Sequence, residues 1–369
     1  MAGAMAAMVL PSAQTAGVSD LQSPLKDQAK DRGILYGSAV SSSYLYSNEA
    51  FQKLVLAQCA CVVPEAEMKW KWISEGPDKD DYSDADKMVE FAGQHRLAMR
   101  GHTLLWYAGM PDWFADLTDR ASAEAAIVRH ITAECQRYRG HVFCWDVVAE
   151  AFYQGDERPD GLRKAVLLDR LGPEYIDIAH HAARAADPNA LLVLNDYGQI
   201  YDSPWETAKR NAILKLLERM KKAGTPIDAV GIEAHLDVQS VPFSSATLRQ
   251  FLAEIAAMGL KIHITELDAN DGRLPSSIAL RDQLVADAYE RFLDVALDES
   301  ATNVVVTWGL ADPMSWLNGN VETRKTRISD GLPYRPLPYD ETLAPKPAWN
   351  ALARAFHRAR WRAPVKLPS

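Results

Sequence analysis

The sequence predicts a single (β/α)8 barrel. Two observations carry the expectation: eight short apolar runs recur between residues 34 and 309, and a helical pattern follows each. A third agrees with them, since polar side chains and tryptophans gather at the C-terminal ends of the runs, where a barrel of this kind carries its site. The competing architecture, a doubly wound open sheet, would want a glycine-rich phosphate turn, and the chain has none.

The runs are "ILYGSAV" (34–40), "CACVVPE" (59–65), "LAMRGHTLLW" (97–106), "CWDVVAE" (144–150), "LLVLNDY" (191–197), "AVGIEAHL" (229–236), "KIHITEL" (261–267) and "NVVVTWG" (303–309). Their near-continuous apolarity suits strands covered on both faces. Between them, "SAEAAIVRHITAECQRYRG" runs from Ser122, read as its cap, to a closing Gly140. "WETAKRNAILKLLERMKKAG" ends in basic residues and Gly224, as a helix C-terminus prefers. "SSATLRQFLAEIAAMG" and "SSIALRDQLVADAYERFLDVAL" repeat the spacing. No Ser/Gly-rich linker or low-complexity block interrupts residues 30–360, so residues 21–369 read as one domain.

At 369 residues, 48% hydrophobic and 24% charged, the chain can bury a substantial core. The net charge of −9 is spread out and no long basic run occurs, which argues against nucleic-acid binding. Residues 1–16, "MAGAMAAMVLPSAQTA", resemble the apolar and cleavage regions of a secretory leader. The positively charged start is missing, so we expect residues 1–20 to be an export signal truncated at its front, and a secreted or periplasmic protein. That run is too short to span a membrane, and no later segment qualifies. A monomer is expected. The four cysteines, Cys59, Cys61, Cys135 and Cys144, could pair in an exported protein, though not Cys59 with Cys61, which alternate along one run. They lack the spacing of a metal site, and no H-x-H or H-E-x-x-H occurs, so neither metal nor cofactor is expected.

The run ends supply Glu65 and Lys69, His102 and Trp106, Glu150, Asn195 and Tyr197, Glu233 and His235, Glu266, and Trp308. Any one could be structural, since a strand-end carboxylate often caps the next helix. Taken together, two glutamates on separate strands, Glu150 and Glu266, suit cleavage of a glycosidic bond. One carboxyl protonates the leaving oxygen and the other attacks or activates water. A spacing of about 5 Å would mean a covalent intermediate and retained configuration. The acid must keep its proton near neutral pH, which requires apolar or anionic surroundings. His235 could orient the nucleophile. Glu233 either pairs with a cation or raises a neighbouring carboxyl's pKa. Asp196 and Asp268 are as apt to brace loops as to touch substrate, Trp70 and Trp145 read as core, and "DERPDG" and "ETRKTR" read as solvated loops. Ten tryptophans and thirteen tyrosines exceed what a core needs, and flat apolar rings suit sugar faces.

In order along residues 30–358, the motifs resemble those of glycoside hydrolase family 10, the retaining endo-β-1,4-xylanases. They are "PEAEMKW" (64–70), "RGHTLLW" (100–106), "WDVVAEAF" (145–152), "LNDYG" (194–198), "GIEAHL" (231–236), "ITELD" (264–268), "WGLADPMSWL" (308–317) and "PKPAW" (345–349). The resemblance implies Glu150 as acid/base and Glu266 as nucleophile, supported by His235. Glu65, Lys69, His102 and Trp106 would hold sugars on the non-reducing side. Trp308 and Trp316 would wall the sugar at the cleavage point, with Asn195 and Tyr197 on the leaving-group side. The substrate would be a polysaccharide or oligosaccharide.

The chain departs from the family pattern at the sugar contacts. Ala149 stands where the family has the Asn that bonds the 2-hydroxyl of the sugar being cleaved, and Ala66 stands for another Asn. Tyr107 and Gly109 replace a His and a Gln, and Glu233 replaces a Gln. Two consequences compete: a groove shifted toward a branched or hexose-based β-glycan, or a catalytically impaired glycan-binding protein. Both glutamates remain, which favours an enzyme.

Overall fold

Eight parallel strands close on themselves in chain order: β1 (Leu35–Val40), β2 (Cys61–Pro64), β3 (Ala98–Gly101), β4 (Val142–Ala149), β5 (Leu191–Tyr197), β6 (Ala229–Glu233), β7 (Lys261–Asn270) and β8 (Thr302–Thr307). The ring shuts where β8 pairs with β1, with Leu35 opposite Val304. Eight helices follow the strands: α1 (Glu49–Gln58), α2 (Ser83–His95), α3 (Arg120–Arg137), α4 (Tyr175–Ala186), α5 (Pro204–Ala223), α6 (Ser245–Ala257), α7 (Ile278–Ala296) and α8 (Pro347–Arg358). This is the expected (β/α)8 barrel. The computed structural model describes residues 23–239, 243–319 and 331–367. The leader expected at 1–20 and the segment "ETRKTR" (322–327) lie outside the described residues.

The helix boundaries follow capping chemistry. Ser203 accepts from the Glu206 amide, Pro204 opens α5, and Gly224 closes it at φ 74°. For α3 the expected cap was one turn late. Asp119, not Ser122, caps this helix, by accepting the amide of Ser122 itself. The carboxylate sits at the positive end of the helix, and Ser122 belongs to the first turn.

Two of the eight runs are broken. The third stops at Gly101, resumes at Leu105–Trp106 against β4, and contains a cis peptide between His102 and Thr103. The sixth stops at Glu233 and resumes at His235–Asp237 against β7. Both breaks fall at the C-terminal rim, where polar side chains turn inward.

The apolar contacts divide into a layer between strands and helices and a small cluster in the barrel lumen. The lumen cluster is mostly compact side chains, among them Ala39, Cys61, Val63, Cys144, Val193 and Ala229, together with Phe143 and Trp308. Above them lies a buried charged set. Arg100 Nε donates to Asp146 Oδ2 at 3.2 Å, Arg100 Nη1 lies 3.0 Å from His263 Nδ1, and His102 Nδ1 lies 3.0 Å from Asp146 Oδ2. Burial alone would raise the Asp146 pKa, but the Arg100 and His102 partners outweigh it and hold the carboxylate ionised. Trp70 and Trp145 are core, as expected. All four cysteines are buried free thiols, so no disulfide joins them. Among the described residues no helix is long and apolar enough to cross a membrane.

Candidate active site

A cavity of about 850 Å³ opens at the C-terminal rim. Eleven of the twelve sequence-predicted residues line it: Glu65, Lys69, His102, Trp106, Glu150, Tyr197, Glu233, His235, Glu266, Trp308 and Trp316. The exception is Asn195. It was expected on the leaving-group side, but it is fully buried beneath the carboxylates. Its Nδ2 donates to Glu233 Oε1 at 2.8 Å and to Glu266 Oε1 at 2.9 Å, while its Oδ1 accepts from Thr265 Oγ1 at 2.7 Å. Asn195 is a floor that fixes two carboxyls, with no polar atom left to face a sugar. Strand register explains its place. Trp106 is opposite Ala149, Ala149 opposite Asn195, and Asn195 opposite Gly231. A Cβ at Gly231 would lie 2.0 Å from Asn195 Oδ1, so only glycine leaves room for the amide.

Glu150 sits just past the end of β4 with φ 54°, a left-handed conformation that a non-glycine residue adopts at some cost. The conformation is held on both sides. The Glu150 amide donates to Asn195 O at 2.9 Å, and Arg163 Nε donates to Glu150 O at 3.0 Å. At the side chain, Trp106 Nε1 donates to Oε1 at 2.8 Å and Arg163 Nη2 lies 3.6 Å from Oε2. Burial, then the negative charges of Asp196 and Glu266, push its pKa up to about 7, against the pull of Arg163 and Trp106.

Glu266 sits on β7 inside an irregular stretch, where the register with β8 shifts between Ile264 and Leu267. Its environment works the other way. Burial favours the proton, but the hydrogen bond from His235 and the charges of His102, His235 and Lys69 keep the carboxylate below its ordinary range. His235 Nε2 lies 3.3 Å from Glu266 Oε2, and His235 Nδ1 lies 2.8 Å from Asp268 Oδ1. Burial works against its charge, yet Asp268 and Glu266 raise the His235 pKa to about 10, so the ring is a cation at neutral pH. Asp268 also accepts Trp316 Nε1 at 2.7 Å, linking the groove wall to the carboxylate through two side chains. Asp268 is therefore a brace. So is Asp196, which pairs with Lys209 at 2.6 Å and accepts the Phe152 amide at 3.0 Å.

Glu65, Lys69 and Glu233 are also perturbed. Burial, then Glu67, raises Glu65 to about 7, while Lys69 opposes it. Burial lowers the Lys69 pKa against the pull of four carboxylates, Glu266 first. Glu233 is raised well above the usual carboxylate range by burial and by the charges of Glu266 and Glu150, against the pull of Lys209. It accepts from Asn195 Nδ2. Glu233, His235 and Glu266 bring ligand atoms within 4.8 Å of one another, but each is already engaged by Asn195, Asp268 or its neighbour.

The sequence model of glycosyl hydrolase family 10 matches residues 24–355. The chain belongs to this family. It is a glycoside hydrolase. Endo-1,4-beta-xylanase B of Thermotoga neapolitana is 28% identical over 335 residues, covering 89% of this chain and 90% of that enzyme. Endo-1,4-beta-xylanase C of Paenibacillus barcinonensis is 30% identical over 381 residues, covering 94% of this chain but only 34% of that longer protein. The crystal structure of native xylanase 10B from Thermotoga maritima superposes with a TM-score of 0.81 at 28% identity, covering 91% of this chain and 98% of the other.

Within this family 10 barrel, sequence reading missed Arg163. It lies on the loop between β4 and α4, thirteen residues past Glu150, with nothing around it to mark it in the sequence. Its guanidinium lies 3.8 Å from the Tyr107 ring centre and 4.8 Å from that of Tyr153, and its Nη2 donates to the Tyr197 hydroxyl at 2.9 Å. Tyr107, one of the departures from the family pattern, thus covers the cation that holds Glu150. Trp205 was missed as well. It lines the cavity beside Tyr197, with ring centres 5.9 Å apart.

Proposed function

We propose that the protein is a retaining endo-acting hydrolase of the β-1,4 bonds of xylan or a closely related β-glycan, with Glu150 as acid/base and Glu266 as nucleophile. The observation that carries this reading is the opposed protonation of two glutamates on one cavity, one raised to about 7 and the other held below its ordinary value. In the first step the Glu266 carboxylate attacks the anomeric carbon as the glycosidic C–O bond breaks, and the Glu150 proton passes to the leaving oxygen. In the second, Glu150 takes a proton from water, whose oxygen attacks the same carbon and releases Glu266. The Asp268–His235 pair keeps Glu266 ionised and aimed. Trp308 and Trp316 offer apolar faces to the sugar, and Lys69 and Glu65 offer donors and acceptors to its hydroxyls. The names of the aligned relatives support xylan as the substrate class.

The test is a screen of β-1,4-xylan, β-glucan and a branched exopolysaccharide, with Glu266→Ala as the blank. We expect turnover of xylan well above that blank. Turnover of β-glucan or of the branched polymer alone would shift the substrate class, and no turnover anywhere would overturn the catalytic reading.

A further inference from the structure

Trp72 is 54% exposed, a large apolar surface left in water by a residue type that a fold usually covers. Only Trp361 is more exposed among the described tryptophans, at 67%. That residue lies at the other end of the barrel, beside Arg362, whose amide bonds Arg32 O ahead of β1. Trp72 is at the catalytic end, on the short helix Trp70–Ile73 that follows β2. Its exposure is not a sign of loose packing. Trp70 stacks on His130 at 4.3 Å and meets Trp113 and Phe114 edge-on at 5.6 Å. Ile73 is buried, Lys71 pairs with Asp112 at 2.8 Å, and the Trp72 amide donates to Lys69 O at 2.8 Å. The turn is fixed on every side, and Trp72 is what it presents outward.

What it stands beside gives the surface a use. The Lys69 ammonium lies 4.5 Å from the Trp106 ring centre and 6.0 Å from those of Trp308 and Trp72. Trp106 and Trp308 line the cavity and Trp72 does not, so the ammonium bridges the groove wall and a ring just outside it. A pyranose has an apolar C–H face and a rim of hydroxyls. Laid on Trp72, it would cover the ring and bring a hydroxyl toward Lys69. A rigid two-torsion aromatic loses little entropy in making that contact.

We propose that Trp72 is a further sugar platform, holding the glycan unit next beyond those met by Glu65 and Lys69 at the non-reducing end. The proposal rests on the reading of the cavity as a β-glycan groove. Trp72→Ala and wild type are compared on β-1,4-xylohexaose and on an aryl β-xylobioside, which is too short to reach the platform. The expected result is that the ratio of kcat/KM for hexaose to that for the aryl xylobioside falls about tenfold in Trp72→Ala, through KM, with most of it kept in Trp72→Phe. Calorimetric titration of xylohexaose into Glu266→Ala, with and without Trp72→Ala, reads the same contact without turnover, and the affinity should fall by a similar factor. An unchanged ratio with unchanged affinity overturns the platform, and so does failure of xylohexaose to bind either protein. Weakened binding in Trp72→Ala without turnover by the wild type would keep the platform and sink the catalytic reading instead.

Discussion

The Glu150 pKa is pushed up to about 7, while Glu266 is held below its ordinary range, and the difference lies wholly in what surrounds each carboxyl. The rate should fall on the alkaline side near pH 7 as Glu150 loses its proton. On the acid side it should fall only below the ordinary carboxylate range, as Glu266 gains one. Arg163 lowers the Glu150 pKa, so removing its charge must raise it. Arg163→Met should move the alkaline limb of kcat/KM upward, while Arg163→Lys should keep more of the original limb. A limb that stays put in Arg163→Met would show that the guanidinium does not act on Glu150. Ala149 offers no group to the sugar 2-hydroxyl. Restoring it with Ala149→Asn should raise xylan turnover roughly ten- to a thousand-fold, and equal initial rates would argue that the contact is supplied elsewhere. At this scale the sequence was a good guide to which residues line the cavity, because strand-end polar residues are visible in one dimension. It was a poor guide to what they touch. Asn195 reads as a sugar contact and is a buried floor, since its partners come from β6 and β7. Arg163 lies in a loop, and its contacts with Tyr107 and Tyr197 exist only after folding.

The strands place these residues by register, and one position depends on what is absent. Gly231 leaves space for Asn195, and a methyl there would overlap its amide oxygen and press on Thr265. Gly231→Ala should therefore lose activity by well over tenfold, with a drop in Tm measured in the same preparation. An active Gly231→Ala would mean that Asn195 need not bridge Glu233 and Glu266. The eight runs and the Gly224 end of α5 were legible because apolar continuity and Gly punctuation are local signals. The breaks after Gly101 and Glu233 were not, because each run continues past its break in Leu105–Trp106 or His235–Asp237, and where pairing lapses depends on the neighbouring strand. The Asp119 cap was passed over for the same reason. Asp and Ser are equally good caps, and only the fold decides which amide is exposed.

The whole molecule is a closed barrel whose lumen is filled below with apolar side chains, mostly small, and above with the Arg100–Asp146–His102 set, so the rim stands on a packed base. No disulfide takes part. Burial pushes the Cys59 and Cys61 thiols up to about 12, which leaves them protonated and unreactive. The folded protein should resist a thiol-specific chromogenic reagent until it is denatured, and dithiothreitol should leave its Tm unchanged. A lowered Tm under reduction would reveal a cross-link. The central claim is that Glu266 bonds to the sugar while Glu150 moves the proton. It is tested most directly by incubating the enzyme with a 2-deoxy-2-fluoro xylobioside bearing an activated leaving group and locating the adduct by peptide mass spectrometry. The account predicts one fluoroglycosyl group per chain, on the peptide containing Glu266 and on that side chain. A label on Glu233 or Glu150, or continued turnover of the natural substrate with no adduct formed, would contradict it.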